Sequence, residues 1–282
     1  MRTKRLLTLI NPTHKSQYIQ SLDSLRGFAV VAVLFFHCSY GIFAGGWIGV
    51  DLFFVLSGYL ITSLLQNEFS ASGNISLSKF YARRALRLLP PLIITVILAN
   101  VLWPTTHLPR ADQFLATMGS LFYSTNLIAD HISGNMSHLW SLSVEEHFYF
   151  IWPVVVLFFI FRISLNKRIV FLGILILALA IFRIFVFNFI DFASYWIFAI
   201  DSYQFTLCRI DGILMGALLF FIISKSQSNE KFEKGPTRTL PLEIVLGAFL
   251  LLMLTVNIRN TYWHNGGFIQ QTYCVPSPYG WP

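Results

Sequence analysis

Seven long apolar runs are the feature of this sequence that most constrains its fold. They extend over residues 25–43, 47–65, 86–103, 140–161, 169–189, 205–223 and 240–256. Each is close to the roughly 20 residues that a helix needs to cross about 30 Å of hydrocarbon. Backbone polar groups inside a bilayer must be satisfied within the protein, which favours helices for runs of this length. The sequence therefore predicts an all-α, polytopic transmembrane helix bundle of about seven or eight spans.

The low charge content agrees with a membrane location. Charged residues make up 12% of the 282 residues and hydrophobic residues 55%, whereas a soluble domain carries about 25% charged residues. The net charge of +7 comes mostly from short loops between the apolar runs, and no basic patch is interleaved with exposed aromatic residues. The three cysteines have no metal-ligand spacing. We therefore expect no nucleic-acid partner and no metal.

The loop charges predict a topology. Basic residues near the start, such as Arg2 and Arg5, place segment 1–20 in the cytoplasm, and the basic stretch 79–87 falls on the same side two crossings later. The more polar segment 114–129 is interpreted as interfacial or buried among other helices, because loop 162–168 is then also cytoplasmic. This arrangement predicts a multi-pass protein of the inner (plasma) membrane, with membrane domain 21–258 and an outer polar tail 259–282.

Ionisable residues inside apolar runs are expensive and are therefore candidates for function. Arg26 and His37 lie eleven residues apart on the first helix, which puts them on one face and about 16 Å apart along its axis. A neutral histidine in a site of low dielectric constant suits a general base. The alternative is a core histidine that is hydrogen-bonded to a neighbouring helix.

Asp51 lies in the segment 49–58, within the second apolar run. Its carboxylate could orient His37, pair with an arginine, or act as a helix-start carboxylate near the outer interface. Ser57 and Gly58, at the end of the segment, could permit either a close helix approach or a break.

Arg84 and Arg87 are three residues apart and share a helix face. Two guanidinium groups suit a phosphate-bearing ligand, but the spacing alone favours a positive anchor of the helix at lipid headgroups. Pro90 and Pro91 are expected to start or kink the helix that follows.

The segment 137–149 carries two adjacent carboxylates, Glu145 and Glu146. Ser143 could cap a helix there while both carboxylates complement its dipole. A carboxylate at this non-cytoplasmic position could also hydrogen-bond an incoming hydroxyl or accept its proton. Farther along the chain, Arg209 and Asp211 are expected to form a partly buried structural pair.

Five segments, in their order along the chain, resemble the acyltransferase family 3 membrane proteins. That family includes bacterial enzymes that O-acetylate lipopolysaccharide, peptidoglycan and other glycans. The resemblance covers roughly residues 21–224, and five motifs in order make it strong. The segments are 22–27 with His37, 49–58, Arg84 with Arg87, 140–149, and 209–216.

The resemblance implies transfer of an acetyl group from acetyl-CoA to a carbohydrate hydroxyl, for example on lipopolysaccharide O-antigen or another exopolysaccharide. Its implied partners are acyl-CoA, a glycan or lipid-linked saccharide acceptor, and membrane lipid. Combined with the topology, it places the acyl-CoA-binding residues on the cytoplasmic side, Glu146 near the acceptor on the other side, and His37 between them. The expected catalytic residues are His37, Arg26, Glu146 and Asp51, and the expected acyl-CoA-binding residues are Arg84 and Arg87.

Two alternatives remain open from the sequence. Intramembrane His, Arg and Asp residues with glycine-broken helices also suit a transporter or flippase, although no repeated half is visible. Family members usually have about ten spans, so the shorter set here is also compatible with an inactive, truncated member whose membrane domain is incomplete at the C-terminus.

Overall fold

The predicted all-α fold is confirmed. The computed structural model describes residues 20–38, 48–102, 109–128, 130–189 and 204–233, and within these ranges every regular element is a helix. The helices are α1 Gln20–Cys38, α2 Ile48–Ser72, α3 Leu77–Leu102, α4 Arg110–Leu121, α5 Asp130–Ser133, α6 Trp140–Phe158, α7 Leu165–Phe189 and α8 Thr206–Glu233.

Five of the described segments are long and apolar enough to cross a membrane. They are α2, α3, the first 22 residues of α7, the part of α8 up to Ser226, and the segment Met136–Arg162 that contains α6. The chain is therefore a multi-pass membrane protein. α1 is 19 residues long and is not among these five. The predicted run 240–256, segment 1–19 and tail 259–282 lie outside the described residues, so the count of seven or eight spans stays a prediction.

The polar segment 114–129 does not contribute a span, as predicted. α4 has 12 residues, which at 1.5 Å per residue gives roughly 18 Å, too short to cross the hydrocarbon. Ser120, in its last turn, is buried, as are Thr125 and Asn126 in the 3-10 turn that follows. These polar residues are thus buried among other helices, whereas Phe114 and Phe122 of the same segment are exposed.

Two helix starts differ from expectation. α3 begins at Leu77, so Pro90 and Pro91 lie inside it and do not start it. An apolar run marks only the part of a helix in hydrocarbon, whereas the backbone hydrogen bonds continue beyond it. α6 begins at Trp140, so Ser143 is not its cap and donates instead to the Leu139 carbonyl at 3.1 Å.

Two glycines bring α2 and α8 into close contact. A Cβ added to Gly58 would collide with the carbonyl oxygen of Ile213, and one added to Gly216 would collide with that of Val55. Small residues let membrane helices approach this closely. Of the two alternatives at Gly58, the structure has the close approach, and α2 continues through this residue without a break.

α2, α6 and α8 form the centre of the bundle, and α3 and α7 lie at its periphery. The most apolar window of α8 is 67% buried, whereas those of α3 and α7 are each 11% buried. Side chains such as Ile97 and Ile174 therefore face outwards, as expected for helices in contact with lipid. Within the centre, Trp152 on α6 donates its indole N–H to Thr62 Oγ1 on α2 at 3.0 Å.

The glycine contact predicts a stability difference between two alanine substitutions. Gly216→Ala should lower the free energy of unfolding by about 1–3 kcal/mol, because its new Cβ overpacks the contact with α2. Gly173→Ala on α7 is the matched control, since nothing lies within 4 Å of the Cβ it would add, and it should gain about 0.5–1 kcal/mol from helix propensity. Denaturant titration in micelles would measure both. Equal stability of the two variants would contradict the close contact.

Candidate functional site

The carboxylate of Glu145 lies at the centre of a group of polar residues from several helices. Ser57 Oγ on α2 donates to Glu145 Oε1 at 3.0 Å. The Tyr149 hydroxyl, one turn farther along α6, donates to Glu145 Oε2 at 3.1 Å. Both carboxylate oxygens are therefore held in place by hydroxyl groups.

Two arginines from other helices complete this group. The guanidinium carbon of Arg84 on α3 lies 3.2 Å from the centroid of the Tyr149 ring, in a cation–π contact. The charges of Arg84 and of Arg26 on α1 both act on the Glu145 carboxylate, and that of Arg84 also acts on Glu146. We call this group of six residues the central polar cluster. Its members are Arg26, Ser57, Arg84, Glu145, Glu146 and Tyr149.

The structure corrects the expected distribution of the charges. Arg84 and Glu146 were expected on opposite sides of the membrane, but they lie in one cluster. Loop charges report which end of a helix faces the cytoplasm, and they do not report how deep a residue lies. Arg84 is two turns inside α3, or roughly 10 Å from its start. Arg87, which was expected beside Arg84, is exposed.

Two buried polar atoms of the cluster have no hydrogen-bond partner among the described residues. They are Arg84 Nε, a donor, and Glu146 Oε1, an acceptor. Most buried polar atoms in proteins are paired. An unsatisfied donor and an unsatisfied acceptor in the same cluster are suited to bind a polar ligand.

The predicted pair of Arg26 and His37 is only partly described. Arg26 is half-buried and belongs to the central polar cluster. His37 is part of α1, and its side chain lies outside the described part of the chain. Its predicted role therefore stays a prediction. The next residue, Cys38, is exposed.

Asp51 forms a buried salt bridge with an arginine, which was one of the three alternatives for it. Arg209 Nη2 on α8 lies 2.6 Å from Asp51 Oδ1. The predicted pairing of Arg209 with Asp211 is not one of the salt bridges among the described residues, because residues two apart on a helix point to different faces, although the charge of Arg209 still acts on the Asp211 carboxylate. Asp211 instead pairs with Arg183 on α7, with 3.0 Å between Oδ2 and Nη1.

Sequence reasoning missed Ser57, Glu145 and Tyr149 as site residues. The interpretation of Glu145 and Glu146 as partners of the helix dipole is wrong, because the first turn of α6 holds no acidic residue. The available signal was the spacing of four between Glu145 and Tyr149, which places a carboxylate and a phenol on one helix face.

The fold and the central polar cluster define a multi-pass membrane protein with ionisable groups gathered inside its helix bundle. The acyltransferase domain family, acyltransferase family 3, matches residues 19–278, and the chain belongs to this family.

Named relatives support this membership. O-acetyltransferase OatA of Staphylococcus aureus strain NCTC 8325 is 31% identical over 282 residues, which cover 94% of this chain and 44% of OatA. OatA of strain COL shows the same identity and coverage. This chain spans less than half the length of the curated relatives it matches. No solved structure matches the chain.

The Asp51–Arg209 bridge predicts a large loss of stability when one partner is removed. Asp51→Asn should lower the free energy of unfolding by about 3–5 kcal/mol, because the charge of Arg209 stays buried without its counter-charge. Arg83→Gln is the control, since the Arg83–Glu68 pair is longer, at 3.4 Å, and more exposed, and should cost under about 1 kcal/mol. Denaturant titration of both proteins in micelles would measure the difference. A similar loss in both would count against the bridge.

Proposed function

We propose that this chain is a membrane O-acyltransferase that transfers an acetyl group from acetyl-CoA to a hydroxyl of a cell-surface carbohydrate, such as lipopolysaccharide O-antigen or another exopolysaccharide. The observation that carries this proposal is the central polar cluster, in which two hydroxyl groups hold the Glu145 carboxylate and the charges of Arg84 and Arg26, from two other helices, act on it. Membership of the acyltransferase family, and the O-acetyltransferase name of the relative OatA, support the same reaction.

The cluster holds the two kinds of group that this reaction needs. When a hydroxyl attacks a thioester, the hydroxyl loses a proton and the thioester oxygen gains negative charge, and the products are an O-acetyl ester and free CoA. A carboxylate can receive or orient the proton, and a guanidinium can stabilise the developing oxyanion. Glu146 Oε1 can accept a hydrogen bond and Arg84 Nε can donate one. Neither atom is hydrogen-bonded to another described residue.

The residues of α3 fit an acyl-CoA donor. Arg84 has a buried N–H, at Nε, that no residue of the described ranges accepts from, and this N–H can reach toward an acyl oxygen. Arg87, exposed on the next turn, suits the phosphates of CoA, because guanidinium groups bind phosphate oxygens through charge-assisted hydrogen bonds. We assign Arg84 to the reacting end of the donor and Arg87 to its phosphates.

His37 and Arg26 complete the proposal. His37 would act as a base or as a transient acyl acceptor that passes the acetyl group to the glycan hydroxyl. Arg26 would orient the reacting groups or stabilise oxyanion charge. Asp51 supports the site through α2, since its salt bridge with Arg209 fixes the helix that carries Ser57. With segment 1–20 in the cytoplasm, the donor would enter from the cytoplasmic face of an inner membrane.

A substitution at His37 tests the proposal. Acetyl transfer from labelled acetyl-CoA to envelope glycan should fall by about 10²–10⁴-fold in His37→Ala, the contribution typical of a general acid or base. Cys38→Ser is the matched control, because Cys38 is the next residue of α1 and is exposed, and it should keep transfer near the natural level. Both proteins are compared at equal amounts in the membrane.

Other outcomes separate the competing functions. Full transfer by His37→Ala would exclude the assigned role of His37. A transporter should release no CoA, so the absence of CoA release by the purified natural chain in liposomes, with labelled acetyl-CoA and acceptor both supplied, would overturn the acyltransferase proposal for this chain.

A further inference from the structure

Tyr123 ends α4 in a backbone conformation that favours glycine. The N–H of Tyr123 donates to the Ser120 carbonyl at 3.3 Å, and that of Ser124 donates to the Gly119 carbonyl at 2.7 Å. These two bonds form a Schellman motif, whose residue after the cap adopts a left-handed conformation. Tyr123 occupies that position with φ 54°.

An aromatic residue at this position is unusual for steric reasons. In the left-handed region a Cβ approaches the following carbonyl oxygen, so glycine is the common choice. The same chain uses glycine where α2 ends, since Gly73 has φ 69° and its N–H donates to the Phe69 carbonyl at 2.7 Å. Because the backbone at the end of α4 favours glycine, the reason for a tyrosine there must lie in the contacts of its side chain.

The ring of Tyr123 packs beside the central polar cluster. It contacts an apolar group that includes Leu92 on α3, with Leu142 of α6 against the same group. Leu92 lies eight residues, or about 12 Å, beyond Arg84 on α3. Leu142 lies four residues before Glu146 and shares its helix face. The ring therefore packs against residues of the two helices that carry Arg84 and Glu146.

The state of the phenol follows from its surroundings. Tyr123 lies in the sequence between two candidate spans, α3 and Met136–Arg162, and belongs to neither. Burial raises the pKa of its phenol above the ordinary value, the Glu146 carboxylate raises it further, and the charge of Arg84 opposes this. The phenol therefore stays protonated at neutral pH and can donate a hydrogen bond.

A purely structural explanation covers only part of the side chain. The apolar group explains the ring, and phenylalanine would fill that space equally well. It does not explain the hydroxyl, nor the neighbouring Glu146 Oε1, which is buried and without a hydrogen-bond partner in the described part of the chain.

We propose that Tyr123 and Glu146 form the subsite that binds the hydroxyl of the saccharide acceptor, an inference that rests on the proposed acyl transfer. The acceptor hydroxyl donates its hydrogen to Glu146 Oε1 and accepts a hydrogen bond from the Tyr123 phenol. Arg84 Nε, on the adjoining face of α3, is left for the acyl oxygen of the donor. Tyr123 is then a substrate-binding residue, and the left-handed turn at the end of α4 is the device that positions it.

The test compares two variants that each lose one hydroxyl from a tyrosine near α6. Tyr123→Phe keeps the ring and removes the proposed contact. Tyr81→Phe is the matched control, because its hydroxyl donates to the Phe150 carbonyl of α6 at 2.6 Å and lies outside the cluster. Two quantities are measured on the full chain in nanodiscs, namely the affinity for labelled oligosaccharide fragments released from the envelope of the expressing cells, and the KM values for acceptor and acetyl-CoA.

Tyr123→Phe should weaken oligosaccharide binding and raise the acceptor KM by up to about tenfold, the size of one lost hydrogen bond, with the acetyl-CoA KM unchanged. Tyr81→Phe should leave all three values as in the natural chain. Unchanged binding and acceptor KM in Tyr123→Phe, with transfer intact, would overturn the subsite and leave the proposed function standing. Tyr123-dependent binding without any acetyl transfer would refute the proposed function alone. Neither binding nor transfer by the natural chain would refute both.

Discussion

The salt bridge between Arg209 and Asp51 is the interaction on which the rest of the structure depends. A charge inside an apolar bundle has no water to solvate it, so it needs a partner within the protein, and for Asp51 this partner comes from another helix. Gly58 lies seven residues after Asp51, and Gly216 lies seven residues after Arg209, so the bridge and the glycine contact are two turns apart on both helices. Two contacts in the same order along α2 and α8 fix these parallel helices in one register.

This fixed pair of helices positions the central polar cluster. Ser57 is adjacent to Gly58, so the close contact with α8 determines where its hydroxyl meets Glu145. α6 is held against α2 on both sides of Glu145, by an edge-to-face contact of Trp140 with Phe54 at 6.1 Å and by the Trp152–Thr62 hydrogen bond. A site built on rigid, mutually packed helices keeps its groups in place more accurately than one built on loops.

The sequence predicts the helices better than it predicts their partners. Apolar runs reveal spans because hydrocarbon thickness sets their length, and charges inside those runs reveal candidate residues. The Asp51–Arg209 and Ser57–Glu145 contacts join residues 158 and 88 positions apart, and they depend on a helix arrangement that no local pattern contains. Arg209 was therefore assigned to its near neighbour Asp211, and Glu145 was explained by a local dipole.

The buried charges form two groups, the salt bridges of Asp51 and Asp211 and the central polar cluster. Both groups must offset the free-energy cost of burying charge in an apolar bundle. Asp51 and Asp211 each have an arginine at salt-bridge distance, as expected of charges that only hold helices together. In the central polar cluster, Glu146 Oε1 and Arg84 Nε are buried without partners among the residues described here. Leaving such atoms unsatisfied costs free energy, and a bound ligand with one hydroxyl and one acyl oxygen would recover it. Atoms of the salt-bridged group, such as Asp211 Oδ2, also lack a hydrogen bond, so the distinguishing feature is that Asp211 has a salt bridge whereas Glu146 has none among the described residues. This difference favours the cluster as the place where chemistry occurs.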